Sequence, residues 1–327
     1  MIVTVTLNPS LDRTMEVAEL RPGQVNRALS THLHPGGKGV NVTRALLANG
    51  VPSTAVLPVA GPEGDQLVQL LRDEGVAAVV VPVSGRTRSN VSVADRDGAV
   101  TKINEPGTPL APSDLDVVLE RALDEAPAGS WLVLCGSLPP GTPPQQYAEM
   151  IRRAAAHGVR VAVDTSGAAL RHAADAGPEL VKPNAEELAD AVGRPLGSRA
   201  DVVAAAQELR RRGARRVLVS LGGAGAVLVD DDGVALGESV AVAPRSTVGA
   251  GDAFLAGFLA AEETSTAAAG TERSAASLRQ ALAWGAAAVQ LPGSQMPGPD
   301  DIDLGQASLL DGPSVHARLG EPLVGTG

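Results

Sequence analysis

The chain alternates short β-branched runs with longer stretches in which apolar residues return every three or four positions. Residues 2–7, reading IVTVTL, form a strand-like run that ends at Asn8-Pro9. Comparable runs recur at 55–57, 79–81, 131–134, 159–163 and 217–219. Helical spacing fills the gaps, as at 39–49, 145–156 and 201–212. Strand and helix in alternation predict an α/β fold with a mainly parallel sheet covered by helices on both faces. Two segments break the rhythm. Residues 89–104 read as two strands around Asp97-Gly98, a hairpin turn pair. Residues 13–34 show apolar alternation without a helix. Together they predict a small antiparallel sheet on one edge of the main one, a lid over a site, built from segments at about 12–34 and 88–106. No internal repeat is found. Residues 262–271, with their Ala, Thr and Ser, read as a mobile loop. Residues 311–327 read as a weakly ordered tail beyond a single domain at 1–310.

Length and composition narrow the class. A chain of 327 residues can bury a sizeable core. Charged residues make up 20% and hydrophobic ones 44%, the balance of an ordinary globular protein. Aromatics are only 2%, so the core must come from Val, Leu, Ile and Ala. A net charge of −10 speaks against nucleic acid or an anionic membrane as partner. It leaves room for a few local cations to hold one phosphorylated ligand. No apolar run approaches a membrane span, and no signal-like opening is present. With Cys135 as the single cysteine, no intrachain disulfide can form, and a cytoplasmic setting is expected. The five His show no metal-ligand spacing, so no transition metal is expected.

Candidate chemistry sits in glycine-rich turns. Gly249-Ala250-Gly251-Asp252 precedes an apolar helical stretch at 253–261. Free backbone amides and the helix dipole at such a turn suit an anion. A carboxylate beside a bound phosphoryl group can take a hydroxyl proton while the amides neutralise developing charge. Gly36-Gly37-Lys38-Gly39-Val40-Asn41 is a second glycine loop entering a helix. There Lys38 can meet a phosphate and Asn41 sugar hydroxyls. It is not a P-loop, because Gly39 follows the lysine. In Lys182-Pro183-Asn184-Ala185-Glu186-Glu187, Asn184 and Glu187 can face a hydrated Mg²⁺ together. The same spacing fits an N-cap with a capping box, and the two readings are compatible. Ser220-Leu221-Gly222-Gly223 follows a strand and leaves room for a nucleotide. Ser137 lies in another turn after a strand, where it can touch substrate. Asp12 can hold sugar hydroxyls, and Arg88 can hold a substrate phosphate through its planar fork. Taken singly, each of these residues also reads as an ordinary turn, cap or surface charge.

Jointly, the segments resemble the ribokinase-like, or PfkB-type, carbohydrate kinases. The loop 36–41 is similar to that family's first signature and 249–252 to its second. Lys182-Pro183-Asn184 with Glu187, and Ser220-Leu221-Gly222-Gly223, are similar to its nucleotide-side motifs, in the family's order and spacing. The resemblance runs from about Met1 to about Asp303. It implies a three-layer sandwich with a β lid, and ATP and Mg²⁺ as co-substrate and cofactor. Within the family, the segments 6–12, 87–91 and 101–107 are most similar to the 1-phosphofructokinase and tagatose-6-phosphate kinase branch.

The resemblance implies the following roles. Asp252 is the proton acceptor, and Gly249, Ala250 and Gly251 hold the moving phosphoryl. Asp12, Gly37, Lys38, Asn41, Ser137 and Arg88 bind the sugar phosphate. Arg27 adds a second cation across a homodimer made by the lids. Lys182, Asn184, Ser220, Gly222 and Gly223 join Gly249 and Gly251 on ATP, and Asn184 and Glu187 serve Mg²⁺ through water. At Ser246 the sequence departs from many relatives, which carry Asp or Asn there, and this sets it against a monovalent-cation site at that position. The substrate implied is fructose 1-phosphate, phosphorylated on its 6-hydroxyl. Tagatose-6-phosphate or 6-phosphofructokinase activity, an unphosphorylated sugar or nucleoside as acceptor, and a non-catalytic regulator that binds a sugar phosphate are the alternatives.

Overall fold

The computed structural model describes residues 1–96, 99–240, 245–264 and 270–310. In chain order, β1 (Ile2–Thr6) is followed by β2 (Ser10–Glu16), β3 (Ser30–Gly36) and α1 (Lys38–Ala48). Next come β4 (Ser53–Val59), α2 (Gly61–Asp73), β5 (Ala78–Pro82), β6 (Arg88–Ala94), β7 (Val100–Asn104) and α3 (Pro112–Glu125). The middle of the chain runs β8 (Trp131–Cys135), α4 (Gln146–Ala156), β9 (Arg160–Asp164), α5 (Gly167–Asp175), β10 (Leu180–Val181) and α6 (Ala185–Val192). It closes with α7 (Arg199–Arg212), β11 (Arg216–Ser220), β12 (Ala226–Asp230), β13 (Gly233–Ser239), α8 (Ala250–Thr264), α9 (Thr271–Val289) and β14 (Ala307–Leu310).

One ten-stranded sheet runs in the order β14-β13-β12-β11-β10-β9-β8-β1-β4-β5. From β5 to β11 every pairing is parallel, while β12, β13 and β14 extend it antiparallel. Period-two alternation sends side chains to two cores. Val217 and Val219 join the core under α3 to α7, and Leu218 joins the one under α1, α8 and α9. Both faces are therefore apolar, as a sheet covered on both sides requires. The chain winds outward from β1 in one direction to β4 and β5, and from β8 in the other to β11. Between β1 and β8 the direction reverses, and the carboxyl ends there open the crevice where such sheets take ligands.

The expected lid is present as a four-stranded sheet, β3-β2-β6-β7. Its outer pairings are antiparallel, as expected, but the central pair β2–β6 is parallel. The two come from separate excursions of the chain, with α1, β4, α2 and β5 between them, so no hairpin sets their direction. The expected turn at Asp97-Gly98 lies outside the described residues, as does the tail at 311–327. Of the expected mobile loop at 262–271, residues 265–269 lie outside the described residues, and 262–264 are helical instead. Helix α8 continues through Thr264, and Glu262 is buried, paired with Arg216 at 2.9 Å and Arg273 at 3.5 Å.

Helix α8 carries the second glycine turn, so its seating decides where that turn sits. It packs along α9 at Gly257, where an added Cβ would stand 2.8 Å from Trp284 Cγ and 2.9 Å from the Gln280 carbonyl oxygen. The second neighbour is backbone and cannot swing away. Gly257→Val is therefore expected to cost about 1–3 kcal/mol. A urea titration checks this as a lower midpoint with an unchanged m-value.

Candidate active site

Gly249 has φ +76°, a left-handed conformation that favours glycine. This turn lets α8 start at Ala250 and puts Asp252 in its first turn, 7% exposed. The Asp252 amide is not free for a ligand, since it donates to the Gly249 carbonyl at 3.1 Å, and that of Ala250 reaches Thr247 at a long 3.4 Å. Gly251 is left as the first-turn amide without a backbone acceptor among the described residues. Among the amides of Ala250, Gly251 and Asp252, the geometry thus offers that of Gly251 most directly. The Lys182 ammonium hangs over it, 3.6 Å from where a Gly251 Cβ would stand.

Five titratable groups meet at this end of the sheet, Asp164, Lys38, Lys182, Glu187 and Asp252. Asp164 closes β9 and is wholly buried. Its Oδ1 accepts from Lys38 Nζ at 2.7 Å, and its Oδ2 lies 3.0 Å from Lys182 Nζ. Lys38, the first residue of α1, also reaches Glu187 Oε1 at 3.4 Å. Burial pushes the Asp164 carboxyl up, but the two ammonium groups outweigh it and hold it below the usual carboxylate range. Burial likewise depresses Lys38, and Asp164, Glu187 and Asp252 overcome this to leave it above an ordinary lysine. Asp252 goes the other way. Burial first, then the Asp164 charge, raise it to about 7, against Lys38, the hydrogen bond from Asn41 and Lys182. That hydrogen bond runs from Asn41 Nδ2 to Asp252 Oδ2 at 2.9 Å. It leaves Oδ1 without a hydrogen-bond partner among the described residues. A carboxyl titrating near neutrality in this position can accept a proton from an incoming hydroxyl.

Asn184 and Glu187 form the capping box of α6. The Asn184 side chain accepts from the Glu187 amide at 2.8 Å, and Glu187 Oε2 accepts from the Asn184 amide at 2.9 Å. Both therefore serve the helix, with Glu187 Oε1 facing Lys38. Among the described residues no group of three or more His, Cys, Asp or Glu side chains is arranged to hold a metal ion. The hard oxygens of Asn184 and Glu187 on this wall fit an Mg²⁺ that keeps its waters and arrives on phosphates. Ser220 ends β11 beside Asn184, and Gly222 and Gly223 form an exposed 3₁₀ turn after it, leaving that wall open.

A second cluster lies toward the lid. Arg88 donates from Nε to the Asn8 carbonyl at 3.2 Å and from Nη1 to that of Glu105 at 3.1 Å. Burial lowers its pKa, opposed by Asp12 and Glu105. Asp12 lies in β2, where its Oδ1 accepts from Ser10 at 2.7 Å and Asn90 at 2.9 Å. Ser137 accepts from Asn8 Nδ2 at 3.3 Å. The loop from β3 through Gly37 into α1 joins the two clusters. Lys38 falls in the first cluster and not beside Arg88, because α1 starts against the carboxyl ends of the sheet. Arg27 is apart from both, exposed on the segment between β2 and β3. The Ser246 hydroxyl donates to the Gly293 carbonyl at 2.8 Å and accepts from the Val248 amide at 3.2 Å.

Sequence reasoning missed Asp164, Asn8 and Arg44. Asp164 had a signal, an acid directly after an apolar strand run. Asn8 had one too, in the Asn-Pro that ends β1. Arg44 had none beyond its spacing of three from Asn41 on a helix.

The pfkB family carbohydrate kinase model matches residues 5–301. A 1-phosphofructokinase of Xanthomonas campestris is 40% identical over 265 residues, 79% of this chain and 83% of that protein. The ATP-dependent 6-phosphofructokinase isozyme 2 of Escherichia coli is 39% identical over 257 residues, 78% and 83% of the two chains. Among solved structures, phosphofructokinase-2 of Escherichia coli in complex with potassium superimposes with a TM-score of 0.85 at 36% identity, covering 92% of this chain and 96% of that one.

If Asp252 takes the proton, the rate at limiting substrate depends on its ionised form. Its raised value of about 7 then sets the sign. The rate falls about tenfold per pH unit below that value and levels off above it. Asp252→Asn should remove this limb and lower kcat by about 10²–10⁴-fold. A pH–rate profile of both proteins checks the assignment.

Proposed function

The chain belongs to the pfkB family of carbohydrate kinases, and from that premise we propose that it transfers the γ-phosphoryl of ATP to the 6-hydroxyl of fructose 1-phosphate. The product is fructose 1,6-bisphosphate. The observation that carries the reading is the buried Asp252, with one oxygen held by Asn41 and the other open, beside two lysines at the start of α8.

Asp252 Oδ1 accepts the hydroxyl proton as the sugar oxygen attacks the γ-phosphorus in line, and the bond from that phosphorus to the bridging oxygen breaks, with ADP leaving on the opposite side. The amide of Gly251 and the Lys182 ammonium meet the negative charge on the transferring group. Lys38 adds its charge from the opposite side of Asp164. Mg²⁺ on the ATP phosphates supplies further charge neutralisation, with Glu187 and Asn184 as the residues on that wall. Asp12, Gly37, Asn41 and Ser137 place the sugar. Arg88, already held by two backbone carbonyls, offers its remaining donors to the 1-phosphate. Holding both substrates in near-attack geometry contributes about 7–11 kcal/mol of barrier lowering. The reaction fits a cytoplasmic enzyme.

The 6-phosphofructokinase reading stands second, since the Escherichia coli isozyme is almost as similar as the Xanthomonas enzyme. ADP release across fructose 1-phosphate, fructose 6-phosphate, tagatose 6-phosphate, fructose and ribose separates the possibilities. Highest kcat/KM on fructose 1-phosphate is expected, and a preference for fructose 6-phosphate would transfer the assignment. Arg88→Ala should raise KM for the sugar phosphate far more than for ATP. Equal effects would make Arg88 structural.

We also place a homodimer interface on the lid. Val25 (81% exposed), Leu29 (59%) and Ile103 (62%) are large apolar residues left open there. Arg27, between Val25 and Leu29, would then face a second copy. Ile103→Asp should sediment as a monomer at concentrations where the parent is dimeric.

A further inference from the structure

Asn41 can hold Asp252 only if its amide nitrogen, and not its oxygen, faces the carboxylate. The reverse orientation sets two oxygens against each other in a buried place. Asn41 is 6% exposed and Asp252 7%, so water offers little relief. Something must fix the amide, because its two ends have nearly the same shape.

Arg44 lies one turn further along α1 and is 8% exposed. Its Nη1 donates to Asn41 Oδ1 at 3.2 Å and to the Ser294 carbonyl at 3.0 Å. A guanidinium has donors and no acceptor, so the Asn41 atom facing it must be oxygen. That places the amide nitrogen on Asp252. Arg44 is itself fixed from behind by Glu74 at the end of α2, through Nε at 2.5 Å and Nη2 at 3.1 Å. The paired bonds fix the plane of the guanidinium as well as its charge.

We propose that Glu74 and Arg44 are positioning residues for the phosphoryl-transfer step, acting through Asn41 to hold the Asp252 carboxylate with one oxygen turned to the acceptor hydroxyl. The hydrogen bonds of Arg44 run to Asn41, Ser294 and Glu74, so the pair reaches Asp252 only through Asn41. The series runs from α2 through α1 to α8, so it joins the edge of the sheet to the base. His34 of β3 is the titratable group that faces the Arg44–Glu74 pair from the lid, and Asp164, Lys38 and Lys182 are those that face Asp252. The inference rests on Asp252 being the proton acceptor.

The test is a double-mutant cycle read by kcat, KM and the pH profile. Arg44→Met should lower kcat on the order of 10-fold, leave KM for ATP within about twofold, and move the acid limb to higher pH, because the Asn41 amide is no longer held with its donor on the carboxylate. In an Asn41→Ala background the same substitution should change neither kcat nor the limb further. An equal loss in both backgrounds would overturn the proposal, since Arg44 would then act independently of Asn41. Should Arg44→Met fail to fold, Glu74→Gln carries the same cycle, with a smaller effect expected in the same direction and the same non-additivity required. Arg44→Lys, which keeps the charge but not the fork, should recover less than half of the lost kcat; full recovery would show that charge alone matters. If Asp252→Asn leaves turnover intact, the base assignment fails instead, which the cycle distinguishes by its own baseline.

Discussion

A carboxylate removed from water must meet cations and donors or take up a proton. Two such carboxylates stand at the carboxyl end of this sheet, and the site follows from how each is met. Asp164 receives both lysines and stays ionised. Asp252 receives one neutral donor and the repulsion of Asp164, and is raised to about 7. The same low-dielectric setting thus yields a fixed anion and a titratable base a short way apart. Environment divides their roles, since both are aspartates.

The fold makes this arrangement possible by bringing several strand ends together. Lys38 follows β1 by way of the lid strands, Asp164 ends β9, and Lys182 follows β10 directly. Helix α8 supplies Asp252 from the other layer. The sheet's reversal between β1 and β8 puts there the carboxyl-end position where such sheets take ligands. The lid grows from the same place, since β2 continues from β1 and β3 runs into α1. Its parallel β2–β6 pair joins two distant parts of the chain, and so holds both excursions in one sheet.

Much of this was legible beforehand. The alternation of strand and helix was legible as layers because the central strands are buried on both faces and most helices on one. The turn at Gly249 and the capping box at Asn184 are local devices and left local marks. What could not be read depends on contacts between distant segments. A lone acid after a strand, such as Asp164, looks like many others until two lysines are brought to it. The direction of β2 against β6 is set by what lies between them, and no turn residue announces it. The extension of α8 to Thr264 is paid in ion pairs from Arg216 and Arg273, and the local composition of Ala, Thr and Ser gives no hint of them.

The hydrogen bond between Asn41 and Asp252 spans 211 positions of the chain, and the Lys38–Asp164 pair spans 126. Contacts of such separation form late, because loop closure must precede the gain from them. As the chain leaves the ribosome, the lysine and its anion are both available well before α8 exists. A chain halted short of α8 would hold Lys38 and Asp164 but no Asp252, and would leave uncovered the apolar sheet face that α8 and α9 pack against.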